Sequence, residues 1–211
     1  MCWRKTETIH LDYDFCEKCD VSLPRLRLVS QARKCGRCDE MAFVYARSCG
    51  QYQGAFREST LFLKDQPLLS RRMEKLLAES FQQLPNEQTI DIIIPVPLHV
   101  ERQKTRTFNQ AEIIAKALAR ATRLPINLSS LVRVNDTERH RAGMDAKARA
   151  KSLKGAFQVR ATRLIEQQNI LIVDDIMTTG STTDEIARTL ISGGANSVTV
   201  LTLTRAVTHY L

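Results

Sequence analysis

Along the chain, apolar positions change period several times, and each change marks an element. The segments 54–64 (GAFRESTLFLK) and 67–84 (PLLSRRMEKLLAESFQQL) carry apolar residues at helical spacing, and Pro67 suits the first turn of a helix. IDIIIPV (90–96) is a β-branched run, short enough to be a buried parallel strand. FNQAEIIAKALARATR (108–123) is amphipathic, with Ile113, Ile114, Ala117, Leu118 and Ala121 on one stripe. LVRV (131–134) reads as an edge or short strand. Residues 135–155 show no period and read as a long polar loop, of the kind that tends to be functional or mobile. NILIVDD (169–175) is a second buried strand, STTDEIARTLISGG (181–194) a helix that ends in glycines, and SVTVLTLTRA (197–206) a last strand. Strand and helix alternate, so the expected fold class is α/β with a mostly parallel sheet.

Composition narrows the class. Of the 211 residues, 43% are hydrophobic, enough for a sizeable core. The longest apolar run, IIIPVPL (92–98), holds two prolines and is too short to span a membrane. MCWRKTETIHLDYD lacks the apolar core of a secretory signal, so a cytoplasmic location is expected. The formal net charge is +8, and it is concentrated: residues 102–163 hold fifteen Lys or Arg and four acids. That imbalance suits a phosphate-rich partner, a sugar phosphate or a nucleic-acid backbone, although any one of these cations can equally be part of a solvated helix face.

All six cysteines lie in the first 49 residues. Cys16/Cys19 and Cys35/Cys38 form two C-x2-C pairs separated by fifteen residues. Two such knuckles complete a tetrahedral, closed, structural Zn2+ site, and Lys18, Arg33, Lys34 and Arg37 favour the thiolates. Disulfides or inert buried thiols are the alternatives; a reducing compartment and the pairing both argue against them. Cys2 and Cys49 are unassigned. The expected division is a small zinc-binding domain over 1–50 and an α/β domain over 51–211.

The sharpest local signal is ILIVDDIMTTGST (170–182). Two adjacent carboxylates, Asp174 and Asp175, end an apolar strand where α/β sheets bind ligands, beyond the carboxyl ends of the strands. The turn that follows opens a helix, whose unpaired N–H groups and dipole attract an anion. Gly180 permits close backbone approach, and Thr178, Thr179, Ser181 and Thr182 add hydroxyls. Acids beside an anion cradle call for a ligand with hydroxyls at one end and a phosphate at the other. A ribose 5-phosphate meets both demands.

This stretch resembles the phosphoribosyl-pyrophosphate (PRPP) signature of the type I phosphoribosyltransferases: four apolar residues, two acids, then T-G-S-T. IIIPVPLHVERQKTRTFNQAEIIAKALA (92–119), YQGAFRESTLFLK (52–64) and LKGAF (153–157) resemble blocks of the competence protein F family (ComFC- and GntX-like). That resemblance implies a cysteine-knuckle zinc domain joined to a phosphoribosyltransferase fold with helices on both sheet faces. It implies a role with incoming single-stranded DNA in natural transformation, beside an ATP-driven translocase and a recombination mediator. Val96, Pro97 and Leu98 take the place of the pyrophosphate loop, with His99, Arg102, Lys104 and Arg106 near the pyrophosphate or DNA, and Asn109 and Gln110 match the family's N-Q pair. Mg2+ is expected to accompany PRPP. Three departures stand out: Thr107 replaces the usual Gly, fewer cysteines are present, and TERHRAGM (137–144) differs from the family's T-x-x-Q-x-G-L. Two other readings share these residues. One is an active phosphoribosyltransferase with an unknown acceptor, in which Asp174 and Asp175 are catalytic. The other is a regulator that senses PRPP.

Overall fold

The computed structural model describes residues 13–15, 18–19, 22–24, 38–85, 87–98, 107–135 and 152–206. Its centre is a four-stranded sheet in the order β3-β8-β7-β4, every pair parallel. These strands are β3 (Tyr45–Gln51), β4 (Ile92–Pro95), β7 (Asn169–Met177) and β8 (Ser197–Arg205). Two antiparallel pairs stand apart: β1 (Tyr13–Phe15) with β2 (Ser22–Pro24), and β5 (Leu131–Arg133) with β6 (Phe157–Val159).

Why these segments become central strands is visible in their sides. β7 and β8 bury residues on both faces, as a parallel sheet covered by helices requires. On one face, Ile170, Ile172, Val198 and Val200 pack with Ile186, Ala187 and Leu190 of α4 (Ser181–Ser192). On the other, Leu171, Val173, Leu201 and Leu203 meet Leu63 of α1 (Gly54–Asp65), Met73 and Leu77 of α2 (Arg71–Gln82), and Ile114 and Leu118 of α3 (Gln110–Thr122). Helices therefore cover both faces of a parallel sheet. Among the described residues no helix is long and apolar enough to cross a membrane.

Two segments differ from the sequence expectation. The second helix starts at Arg71 rather than in its first turn at Pro67, because Ser70 caps it, its hydroxyl accepting from the backbone N–H of Met73 at 3.3 Å. Residues 45–50, grouped by sequence with the cysteine domain, form the edge strand β3 with Gln51, so the expected division at 50/51 falls inside it. YARSCGQ has no β-branched residue. Its strand form comes from pairing with β8, including a 2.7 Å hydrogen bond between the Ser48 and Thr202 hydroxyls.

Pro95 lacks an N–H and is tolerated because β4 is the other edge of the sheet. Val96 restores the contact by donating its N–H to the Val173 carbonyl at 2.9 Å. Residues 136–151 of the stretch expected as a long loop lie outside the described residues, and the chain returns beyond it as β6, which pairs antiparallel with β5.

Candidate functional site

The carboxyl ends of β4 and β7 open into one cavity of about 330 Å³. Asp174, Asp175, Ile176, Thr178 and Thr182 line one side; Val96, Pro97, Leu98, Asn109, Gln110 and Ala111 line the other. Lys64, from the last turn of α1, and Arg133, at the end of β5, complete the wall. Cations from elements remote in sequence thus share a cavity with two half-buried carboxylates.

Asp174 Oδ1 accepts the backbone N–H of Asp175 at 2.9 Å, and the Thr204 hydroxyl donates to the Asp175 carbonyl at 3.2 Å. These bonds tie the acidic end of β7 to itself and to β8. Asp174 also keeps its ladder position opposite Thr202. Adjacent carboxylates repel, so an arrangement that anchors both at a cavity rim suits a ligand rich in donors.

The loop after β7 reaches the cavity through Thr178 and Thr182. Thr179 and Ser181 instead bond to each other, hydroxyl to hydroxyl at 2.9 Å. Gly180 is the residue before α4, at φ 82°, the left-handed region that favours glycine. A Cβ at Gly180 would lie 2.9 Å from Met177 Cε and 3.2 Å from Met41 Cε, contacts that these flexible side-chain ends can relieve, so it is the positive φ that disfavours a side chain here. The Asp184 N–H, bonded to the Gly180 carbonyl at 2.8 Å, opens the helical ladder. The amides of Ser181, Thr182 and Thr183 therefore precede that ladder, at the positive end of the helix dipole.

On the opposite rim, Asn109 lines the cavity and is also bonded within the protein. Its Nδ2 donates to the Val96 carbonyl at 3.0 Å and its Oδ1 accepts the Ala111 N–H at 3.0 Å. One buried side chain caps α3 and pins the Val96–Leu98 loop to it. Gln110, also buried, lines the cavity itself.

Arg133 is 3% exposed, its guanidinium carbon 5.6 Å from the centroid of the Phe157 ring, while Nε donates to the Asn135 carbonyl at 3.3 Å. Phe157 is a core residue. Sequence reasoning did not pick out Lys64 or Arg133 as site residues. His99, Arg102, Lys104 and Arg106 lie outside the described residues, as do Cys16 and Cys35. Of the four proposed zinc ligands, Cys19 and Cys38, one from each pair, are both buried in the same cluster of core residues.

The phosphoribosyl transferase domain model matches residues 60–209, which includes both rims of this cavity. Competence protein F of Haemophilus influenzae is 31% identical over 195 residues, covering 82% of this chain and 84% of that protein. The chain belongs to the competence protein F family. Within it, the DNA utilization protein YhgH of Escherichia coli O157:H7 is 34% identical over 57% of this chain and 52% of its own length. Competence protein ComFC of Bacillus subtilis is 33% identical over 54% of this chain and 45% of its own. The match thus spans about half the length of these last two relatives. Among solved structures, the glutamine PRPP amidotransferase of B. subtilis superposes with a TM-score of 0.41 at 21% identity, covering 62% of this chain and 25% of that one. This family member carries the type I phosphoribosyltransferase fold, with its cavity at the carboxyl edge of the sheet.

Proposed function

We propose that this protein is a cytoplasmic competence factor that handles incoming single-stranded DNA and binds PRPP, or a related ribose phosphate, in the cavity between β4 and β7. The observation that carries the ligand half is one cavity joining Asp174 and Asp175 to Thr178 and Thr182. Its volume, about 330 Å³, lies at the lower end of the range for small-molecule sites. In this reading the carboxylates accept from the 2′- and 3′-hydroxyls, and the amides before the α4 ladder hold the 5′-phosphate. Mg2+, arriving with PRPP, would be held by Asp174 and Asp175 and would offset pyrophosphate charge. Lys64 and Arg133 supply further positive charge to the same cavity.

The DNA half rests on the names of the relatives, which speak of competence and DNA utilization, and on the basic middle of the chain. Some of that charge is already balanced: Arg120 pairs with Glu74 at 2.8 Å and Lys116 with Glu112 at 3.5 Å. The DNA-binding charge is therefore assigned to the cations of 102–163 other than these two and Arg133, which is buried in the cavity wall. An ATP-driven translocase and a recombination mediator are the partners this role calls for. A structural Zn2+ held by Cys16, Cys19, Cys35 and Cys38 fits the burial of Cys19 and Cys38 in one cluster, since a closed site needs both pairs brought together.

Calorimetric titration of the full chain with PRPP and Mg2+ tests the ligand. Binding is expected in the native chain and should weaken at least about tenfold in D174A/D175A, with the variant's melting temperature measured alongside to show that it is folded. Absence of any heat in the native chain would remove the proposal. Membership of the phosphoribosyl transferase domain family favours a second reading, transfer to an acceptor, and pyrophosphate release from PRPP in the presence of candidate bases would establish it.

A further inference from the structure

The segment after the second cysteine pair reaches the loop that begins α4. Met41 closes on Gly180: a Cβ at Gly180 would sit 3.2 Å from Met41 Cε and 3.3 Å from Met41 Sδ, on top of the 2.9 Å approach of Met177 Cε. The glycine is thus held between a thioether from β7 and one from the amino-terminal segment. Met41 itself is half-buried and packs against the core cluster that contains Cys19 and Cys38.

Polar bonds lock this segment in place from several directions. The Met41 N–H donates to the Cys38 carbonyl at 3.2 Å, and Lys18 Nζ donates to the Met41 carbonyl at 3.1 Å. The Ala42 N–H donates to Asp184 Oδ1 at 2.7 Å. Arg188 bridges both partners, with Nε on Asp184 Oδ2 at 3.1 Å and Nη2 on the Glu40 carbonyl at 2.5 Å. Asp184 sits in the first turn of α4, where the dipole favours its charge, and its two oxygens are used by Ala42 and Arg188. The first turn of α4 is therefore fastened to residues 40–42 rather than left to the strand before it.

We propose that Met41 is a positioning residue for the anion loop: its side chain sets where Gly180, and with it the amides of 181–183, can sit. Gly180 provides no side-chain cap of its own; the local bonds at this helix start are the Ser181 N–H on the Thr179 hydroxyl at 3.4 Å and the Thr183 hydroxyl on the Gly180 carbonyl at 2.9 Å. A flexible, polarizable thioether fills the irregular space over the glycine. The inference rests on the reading of this loop as a phosphate cradle, and it ties the cysteine-bearing segment to ligand binding through three residues.

The test uses M41A and M41L in the full chain, with two readouts. First is amide hydrogen exchange at Asp184, whose N–H is bonded to the Gly180 carbonyl, against Ile113, whose N–H is bonded to the Asn109 carbonyl on the other rim. M41A should speed exchange at Asp184 about tenfold and leave Ile113 unchanged, and M41L should behave as the native chain. The second readout is affinity for ribose 5-phosphate, expected to fall about tenfold in M41A and to return in M41L. Unchanged exchange at Asp184, or an equal rise at Ile113, would mean Met41 is packing only and would overturn the proposal, as would loosened exchange with native affinity. A native chain that binds no ribose 5-phosphate would defeat the phosphate reading, while the exchange readout would still decide the role of Met41.

Discussion

The two rims of the cavity hold their shape by opposite means. On the β7 side, backbone conformation sets the shape: a left-handed glycine, amides before the helical ladder, and two methionine side chains packed over that glycine. On the β4 side, one side chain does it, with Asn109 bonded at once to the Val96 carbonyl and the Ala111 amide. A rim built from backbone depends on which residue can adopt the geometry. A rim built from a side chain depends on two hydrogen bonds that can be removed separately. The difference predicts that the β7 rim fails abruptly on substitution and the β4 rim fails in steps.

The largest effect should come from Gly180→Ala. The new residue would be held at a positive φ, at a cost of about 1–3 kcal/mol, and would displace the flexible ends of Met177 and Met41. Relief requires the loop to move, so ribose 5-phosphate affinity should fall by more than about tenfold even where the chain stays folded. Chemical denaturation and calorimetric titration of the same preparation separate the two losses. Near-native binding would show that the loop tolerates another geometry, and the contrast between the rims would disappear.

That rim was also the more legible in the sequence, for a physical reason. Asp174, Asp175 and the run to Thr182 are contiguous, and a strand ending in acids before a glycine-opened helix leaves few geometries. The β4 rim was only half legible. Asn109 was visible as a residue of interest, but its bonds to Val96, thirteen residues away, depend on how α3 docks beside β4. Lys64 and Arg133 could not be read at all, since each lies in an ordinary amphipathic or short apolar segment and reaches the cavity only through packing. β3 was missed for a related reason: its residues have little intrinsic preference for a strand, and its form follows from the edge of β8 available to it. What is written locally, such as alternation, caps and the acidic motif, was recoverable. What arises from one element docking on another was not.

The intermediate effect belongs to Asn109. Asn109→Ala removes the helix cap and leaves the buried Val96 carbonyl without its donor, for a total of about 2 kcal/mol by urea denaturation. Asn109→Ser keeps a side-chain acceptor at the helix cap and loses the donor to Val96 without burying a charge. It should recover the capping part, about 1 kcal/mol, and still loosen the Val96–Leu98 loop. If both variants lose the same stability, the cap contributes nothing and the stepwise description of this rim is wrong.

The smallest effect sharpens the claim about backbone most. Thr182 lines the cavity, and so does Thr178, so either hydroxyl could hold the ligand's phosphate in place of the amides. Thr182→Val keeps shape and backbone and removes one hydroxyl. A single neutral hydrogen bond contributes about 0.5–1.5 kcal/mol, which corresponds to a loss of a few-fold to about tenfold in affinity. If the amides before the α4 ladder carry most of the attraction, Thr182→Val should fall at the low end of that range and Thr178→Val should match it. The double variant should then lose no more than the product of the two. A hundredfold loss from either single change would assign the anion to side chains. In that case the rigidity that Met41, Met177 and the left-handed glycine impose would have to serve the placement of hydroxyls, and the two rims would work on the same principle after all.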